Sequence, residues 1–376
     1  MMDRRTFMKK SIDWVKKAAI VGLAPISMRN YAMALSEKNN TQTPYKHYSL
    51  REMATKKLHH HNGRYLNPFT SEKHGNLWRV LYWKLFTKNH FKSHYHEEQV
   101  VPVQVDWKGL REHKGCAVTF LKHATVMIKD KDEYFLVDPI LYDLFFFKDF
   151  SPLSFRADEI PPPDHILITH GHYDHLDKPS LKSFNKDTHV ISPLGYESVF
   201  RDLSMTNRTQ LDWFNIWEEN EREIILLPSH HWTMRNPLTG PNDSLWGSFL
   251  LRTVCGPTIF IAGDLAYFDR FKEIGTEYSI DLAIFNLGAY EPRWFMASSH
   301  INPEETVKAF LELKAKYLLV VHWGTFRLGD EPVHFPPKAI KREMQKKGIL
   351  DRLLHLNHGQ TLLYDASDRI EIMAND

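Results

Sequence analysis

The sequence predicts a layered α/β fold with a metal site at one sheet edge, and three observations predict it. The apolar, β-branched run Asp164-His165-Ile166-Leu167-Ile168 reads as a buried strand, and it leads at once into Thr169-His170-Gly171-His172-Tyr173-Asp174-His175-Leu176-Asp177. The same arrangement of apolar strand and then ligand recurs three times. Ile224-Ile225-Leu226-Leu227-Pro228 precedes Ser229-His230-His231-Trp232, Thr258-Ile259-Phe260-Ile261-Ala262 precedes Gly263-Asp264, and Tyr317-Leu318-Leu319-Val320-Val321 precedes His322-Trp323-Gly324. Between these strands, residues 267–277, 303–314 and 336–347 carry the helical period. Strand ends meeting at one edge are the usual place for a site in layered α/β architectures.

The first of these strand ends is the densest in ligands. His170 and His172 stand two apart in a nearly extended segment and point the same way. Asp174 and His175 fall where the chain bends, so they can serve a second point a few ångströms away. Lys178-Pro179-Ser180-Leu181 then opens a helix, with proline in its first turn. A lone histidine is more often a satisfied core residue, and an aspartate after a strand is often a helix cap. Imidazole and carboxylate ligands at this density suit zinc or a similar divalent ion.

At 376 residues, 43% hydrophobic and 25% charged, the chain has material for one large domain with extensions, or for two modest ones. A net charge of +2 and the lack of a persistent basic run in the body give no basis for nucleic-acid binding. Cys116 and Cys255 have no metal-ligand spacing, and they read either as two buried thiols or as a bridge.

Asp3-Arg4-Arg5-Thr6-Phe7-Met8-Lys9 resembles a twin-arginine export signal. The short apolar run Ala18 to Ala24 and a small-residue site at Ala32-Met33-Ala34 follow it, which places the signal over 1–34. The signal implies a bacterial periplasmic or envelope location; an ordinary basic amphipathic helix is the other reading. Residues 35–62 read as a polar linker in which His59-His60-His61 is solvated.

From Gly63 the composition turns globular. Trp78, Leu81, Tyr82, Leu85 and Phe86 trace one helical face, either packed on the domain or lying at a membrane interface. Strands follow at 117–121, 126–128 and 134–139. The loop Leu144 to Phe150 comes just before the metal motif, where it can cover a pocket, dip into lipid or pack inside. Asn302-Pro303-Glu304-Glu305 opens a helix with a cap, a proline and first-turn acids. Gln360 to Tyr364 is the last strand expected, and 367–376 is an acidic tail.

Taken together, Gly288-Ala289-Tyr290-Glu291-Pro292-Arg293-Trp294-Phe295-Met296, Leu245-Trp246-Gly247-Ser248, Pro228-Ser229-His230-His231-Trp232 and Val321-His322-Trp323-Gly324-Thr325-Phe326 are distinctive. With Gly63-Arg64-Tyr65-Leu66-Asn67-Pro68, His123-Ala124-Thr125-Val126 and Asp138-Pro139-Ile140, they resemble the N-acyl-phosphatidylethanolamine-hydrolysing phospholipase D family of the metallo-β-lactamase superfamily. The likeness runs from about residue 63 to 364, within a hydrolase domain over 63–366. It implies a metallo-β-lactamase αβ/βα four-layer sandwich, two Zn²⁺ or similar ions, and cleavage of a phospholipid headgroup ester by a metal-bridging hydroxide. Carried over by position, it implies His170, His172 and His231 on one metal, Asp174, His175 and His322 on the other, and Asp264 bridging. His231, just before tryptophan, is selected over His230.

His300 and Tyr290 are candidates for steering the phosphate or leaving group, with packing around the site as their other reading. Lys122, where a glycine usually precedes His123, Leu265 after Asp264, and Phe145-Phe146-Phe147 depart from the family pattern. The implied partners are a phospholipid and a membrane surface met peripherally through Trp78–Phe86 and Leu144–Phe150; a homodimer is compatible. The other functions weighed are a same-fold hydrolase of a lactone, ester or amide, and a non-catalytic metal-binding envelope protein. The complete ligand set speaks against the last.

Overall fold

The computed structural model describes residues 45–70, 77–145, 147–236, 238–254, 256–364 and 369–373. The signal expected over 1–34 and the linker up to residue 44 lie outside them, as do Phe146 and Cys255. The chain divides into two compact units, one holding 45–75 and 88–376 and the other holding the helix Leu77–Phe86. In that helix Trp78, Tyr82, Leu85 and Phe86 are exposed and Trp83 is buried. Among the described residues, no helix is long and apolar enough to cross a membrane.

The larger unit contains two mixed sheets and a small hairpin. The hairpin is β1 (His60–His61) with β2 (Arg64–Tyr65). One sheet contains β3 (Cys116–Lys122), β4 (Thr125–Asp130), β5 (Glu133–Val137), β6 (His165–Leu167), β7 (His189–Pro193) and β8 (Arg208–Leu211). The other contains β9 (Ile216–Glu219), β10 (Arg222–Leu227), β11 (Ser248–Arg252), β12 (Thr258–Ile261), β13 (Leu282–Asn286), β14 (Tyr317–Val321) and β15 (Leu353–Leu354). The chain then returns to the first sheet as β16 (Thr361–Tyr364) and β17 (Ile370–Ile372), giving the orders β17-β16-β3-β4-β5-β6-β7-β8 and β15-β14-β13-β12-β11-β10-β9.

Strict alternation along the strands builds the layers. Val118, Phe120, Val126, Ile128, Phe135 and Val137 of the first sheet share one core with Leu226, Phe249, Ile261, Ile284 and Leu319 of the second. The intervening residues Ala117, Met127, Leu136, Ile166 and Val190 face the other way. They are covered by Trp107, Leu110, Leu181 and Phe200 from helices Trp107–Glu112, Lys178–Leu181 and Glu197–Asp202. Helices Phe271–Glu277, Pro303–Leu313 and Phe335–Lys346 bring Phe271, Phe310 and Met344 to the second sheet. The result is the αβ/βα sandwich that the sequence predicts.

Most expected elements form close to their expected bounds, for local reasons. Asp177 caps Lys178–Leu181 by accepting from Ser180 N at 2.9 Å. Asn302 and Glu305 make a reciprocal capping box on Pro303–Leu313, and Lys314 ends that helix in a left-handed conformation.

Two expectations are corrected. The presumed acidic tail from 367 contains β17, which pairs antiparallel with β16. The presumed polar linker is folded from residue 50, where helix Leu50–Thr55 buries Leu50, Met53 and Ala54. Its histidines are not all solvated. His59 is buried, stacks on Trp213 with ring centroids 4.1 Å apart, and holds Asp212 Oδ1 at 2.6 Å. His60 and Lys57 reach Asp212 Oδ2 at 2.9 and 2.5 Å.

Polar composition hid this segment because its partner, Asp212, lies about 150 residues away in sequence. Asp212→Ala leaves a buried imidazole without its acceptor and is expected to cost about 2–4 kcal/mol in urea unfolding. Burial alone would raise the Asp212 carboxyl, but hydrogen bonds from His59 and Lys57 hold it well below its ordinary value. Its contribution is therefore complete above the unfolded pKa of about 3.9 and is lost as pH falls below that. The stability gap between wild type and variant should close in the same direction.

Candidate metal centre

Strand ends from both sheets deliver the site. Past β6, Thr169 N and Oγ1 donate to Asp138 Oδ1 and Oδ2 at 2.8 and 2.6 Å, fixing the start of the His170–His175 turn beside the end of β5. Gly171 N donates to Thr233 Oγ1, and a Cβ at Gly171 would lie 2.6 Å from that oxygen. Past β10, Asn67 Nδ2 holds the His231 carbonyl at 2.7 Å and Trp246 Nε1 holds that of Ser229 at 2.9 Å. Past β12, Gly263 takes φ +61° with Thr169 packed against its Cα, which brings Asp264 to the same edge. Past β14, His322 takes φ 70°, and its N–H donates to the His123 carbonyl at 2.7 Å.

Two groups of ligand atoms result. His170, His172, His231 and Asp264 form one; His123, Asp174, His175 and His322 form the other. In the first, His172 Nδ1 lies 2.9 Å from His170 Nε2 and 3.3 Å from His231 Nε2. In the second, Asp174 Oδ2 lies 3.1 Å from His123 Nε2, 3.5 Å from His322 Nε2 and 3.6 Å from His175 Nε2. Asp264 stands between the groups. Its Oδ1 is 3.4 Å from His322 Nε2, and its Oδ2 is 3.3 Å from His175 Nε2 and 4.0 Å from His170 Nε2. Asn286 Nδ2 donates to Oδ1 at 2.9 Å and orients the carboxylate.

Proton positions test whether these residues fit an ion. His175 Nδ1 faces Asp138 at 2.8 Å and His231 Nδ1 faces the Ser299 carbonyl at 3.0 Å. Both partners only accept, so each ring carries a proton on Nδ1 and turns its Nε2 inward. His170 Nδ1 meets Thr169 Oγ1, whose own proton goes to Asp138, so His170 does the same. The buried Nε2 atoms of His175 and His322 have no hydrogen-bond partner. Ring nitrogens converging this closely, with an acceptor on the distal nitrogen of His170, His175 and His231, match metal-ligating imidazoles.

Electrostatics agree with that reading. Burial pushes His170 and His231 well below the ordinary value, His172 to about 4 and His123 to about 3, so all are neutral near pH 7. Burial alone would raise Asp174 and Asp264, but neighbouring imidazoles hold both well below the ordinary carboxylate range. Burial would likewise lower His175, yet Asp264 and Asp174 raise it well above its usual value. Those carboxylates call for a positive charge that a divalent ion would supply.

The two auxiliary candidates separate. His300 joins the centre, with Nδ1 3.7 Å from Asp264 Oδ2 and its ring 5.7 Å from that of His231. Burial pushes it down to about 4. Arg293 Nη1 holds the His300 carbonyl at 2.8 Å, so the Gly288–Met296 stretch positions it. Tyr290 is instead packed in the principal core, where its charged neighbours are Glu331, Glu291 and Arg342 rather than the histidine groups. His230 turns between Phe69 and Phe268, away from the ligands.

Sequence reasoning missed His123 as a member of the second group, although it follows strand β3 in the same strand-then-ligand order. It also missed the supporting Asp138, Asn286 and Asn67, which no spacing announces. Lys122 is buried and paired with Asp149, which fastens the aromatic loop beside the site.

Comparison with known proteins agrees with this geometry. Residues 133–323 match the model of the Beta-lactamase superfamily domain. A Saccharomyces cerevisiae protein named mitochondrial N-acyl-phosphatidylethanolamine-hydrolyzing phospholipase D is 34% identical over 244 residues, 61% of this chain and 52% of its own length. The Caenorhabditis elegans protein named N-acyl-phosphatidylethanolamine-hydrolyzing phospholipase D 1 is 30% identical over 278 residues, covering 68% of this chain and 77% of that one. The chain thus spans about half of the yeast relative and about three quarters of the nematode one.

Among solved structures, a possible metal-dependent hydrolase from Veillonella parvula superposes with a TM-score of 0.56 at 16% identity, over 66% of this chain and 98% of that one. An isothiocyanate hydrolase from Delia radicum gut bacteria gives 0.56 at 17%, over 66% and 99%. These two likenesses bear on the fold alone. With the fold, the two ligand groups and the relatives in agreement, the chain belongs to the N-acyl-phosphatidylethanolamine-hydrolysing phospholipase D family of the metallo-β-lactamase superfamily.

Proposed function

We propose that this chain is a metal-dependent phosphodiesterase that cleaves the headgroup ester of N-acyl-phosphatidylethanolamine, releasing an N-acylethanolamine and phosphatidic acid. The observation that carries this reading is the pair of ligand groups joined by Asp264 in a chain of this family. His170, His172 and His231 would hold one Zn²⁺, and Asp174, His175 and His322 the other, with Asp264 shared and His123 bracing Asp174. Divalent ions held by these residues would supply Lewis acidity at phosphoryl oxygens and water activation near neutral pH.

The chain's own groups do the positioning. Asn286 keeps the Asp264 carboxylate oriented between the two groups. His300, held by Arg293, is neutral above about pH 4 and can donate a hydrogen bond to a phosphoryl or leaving-group oxygen. Asp264→Ala is expected to lose bound metal and to reduce phosphodiester hydrolysis by at least roughly a hundredfold, with the fold retained by circular dichroism. Unchanged metal content and turnover would refute the assignment. Faster hydrolysis of a lactone than of a phosphodiester by the wild type would move the substrate class to carboxylic esters.

Location and membrane contact belong to the same proposal. The Arg4-Arg5 pair supports twin-arginine export to the bacterial periplasm, and changing both residues to lysine should retain the protein in the cytoplasm on fractionation. A lipid substrate supports peripheral docking, because withdrawing its chains into water costs about 0.8 kcal/mol per CH₂. Phe145 and Phe147, 93% and 41% exposed, offer an apolar surface on the loop beside the centre. Phe147 lies 6.3 Å from Phe326, whose ring is 5.0 Å from that of His123. The helix Leu77–Phe86 offers a second such surface. Phe145→Ser with Phe147→Ser should weaken vesicle binding by roughly tenfold or more and leave a short soluble phosphodiester unaffected. Equal losses on both substrates would show that the phenylalanines support the fold instead.

A further inference from the structure

A second histidine cluster, at the end of β6 remote from the metal centre, is not used by the proposed hydrolysis. His165 opens β6, His189 opens β7, and the two are direct partners across the parallel pair. Their Nδ1 atoms face each other at 3.1 Å. One nitrogen of each ring and a carboxylate oxygen of Glu219, from β9 in the other sheet, lie within 4.8 Å of one another. His165 is buried, His189 half-buried and Glu219 exposed. Five residues of extended chain separate His165 from His170, on the order of 16 Å, so this cluster is distinct from the metal centre.

Hydrogen-bond partners decide what the cluster can take. A Glu133 carboxylate oxygen lies 3.3 Å from His165 Nε2 and can only accept, so the ring proton sits there and Nδ1 is a lone pair aimed at His189. His189 Nε2 lies 2.9 Å from the Thr209 hydroxyl, which can donate or accept. With the hydroxyl accepting, His189 carries its proton on Nε2 and both Nδ1 lone pairs converge. A distal nitrogen tied to a carboxylate or hydroxyl and a near nitrogen bare is the arrangement of metal-ligating imidazoles. With the hydroxyl donating, the same atoms close a relay in which His189 Nδ1–H donates to His165 Nδ1. An ion would exchange one state for the other by a tautomer shift, with no net release of a proton.

The spacing and charge also fit. Two imidazole nitrogens about 2.0–2.1 Å from a tetrahedral ion stand about 3.4 Å apart, so the observed gap has to open by only a few tenths of an ångström. Burial lowers His165, with Glu133 opposing it, and lowers His189 to about 4, so both rings are neutral and able to ligate near pH 7. Two imidazoles with one carboxylate suit a borderline divalent ion better than Mg²⁺ or Ca²⁺. The His59, His60 and Asp212 group is a weaker candidate, because the Lys57 ammonium already sits 2.5 Å from Asp212 Oδ2.

We propose that His165, His189 and Glu219 form a separate site for one divalent cation of the zinc, nickel or copper class, linking the two sheets at their end remote from the metal centre. Trp217 supplies an internal probe, its ring lying 4.8 Å from that of His165 and 5.3 Å from that of His189.

The test uses full-length protein, its zinc content and the quenching of tryptophan emission by added Cu²⁺. His189→Asn is expected to lose about one zinc per chain relative to wild type and to lose the quenching phase, with phosphodiesterase activity unchanged. Trp217→Phe should lose the quenching phase and keep the zinc. Glu219→Gln, at an exposed position, should weaken Cu²⁺ binding by roughly tenfold without changing the melting temperature. Asp264→Ala should lose metal from the other centre and keep the quenching phase, so failure of either site is read independently. Wild-type zinc content and quenching in both His189→Asn and Glu219→Gln would overturn the proposal.

Discussion

One buried carboxylate, Asp138, sets the proton positions on which both ligand groups depend. It accepts from Thr169 N, Thr169 Oγ1 and His175 Nδ1, all at 2.6–2.8 Å. The bond from His175 places that ring's lone pair in the second group. The bond from the Thr169 hydroxyl makes that oxygen an acceptor for His170 Nδ1, which places the His170 lone pair in the first. Asp138 is itself fixed, since Thr125 Oγ1 donates to its carbonyl and receives Ile140 N–H. A chain of local hydrogen bonds running from Thr125 to Asp138 therefore determines which nitrogen His175 and His170 present. An amide in place of this carboxylate would satisfy some of these donors and leave at least one without its acceptor.

The architecture explains why the centre needs both sheets. His170 to His175 follow β6 of the first sheet, whereas His231, Asp264 and His322 follow strands of the second. No sheet alone holds a full set. Asp264 is reached from one side by His322 and from the other by His175 and His170, so the bridging position records the closeness of the two sheet edges. That closeness is enforced by the shared apolar core, where Phe120, Phe135, Phe249 and Ile261 pack between the sheets. Burial of hydrophobic surface thus offsets part of the electrostatic cost of gathering these imidazoles and carboxylates out of water.

How far the sequence could be read follows from the range of each interaction. Strand ends with ligands are local, and all four were legible, as were the cap at Asn302 and the helix stop at Lys314. Family resemblance added the grouping of ligands, which no periodicity gives. Contacts between distant segments were not legible. The burial of His59 depends on Asp212 and Trp213, and a run of polar residues carries no sign of such partners. His123 obeys the strand-then-ligand rule, but its place beside Asp174, His175 and His322 comes from contacts between distant segments. Tyr290 shares a distinctive stretch with residues that position the centre, yet its side chain belongs to the core. Proximity in sequence to a site is weaker evidence than the direction of a side chain.

The Lys122–Asp149 pair ties the aromatic loop to the strand end that carries His123. Both groups are largely removed from water, so their separate desolvation is unfavourable and each holds the other in place. Asp149 Oδ1 also accepts Ser151 N at 2.8 Å, Phe150 N donates to the Thr325 carbonyl at 2.9 Å, and Asp149 bridges to Phe326. Thr325 in turn accepts the His123 N–H, and Phe326 lies against the His123 ring. The aromatic loop is therefore anchored to the backbone that carries His123 and His322. A glycine at 122 would leave Asp149 without its buried cation and release that anchor. Anchoring thus holds Phe147 beside Phe326, whose ring lies against His123, at the rim of the candidate centre.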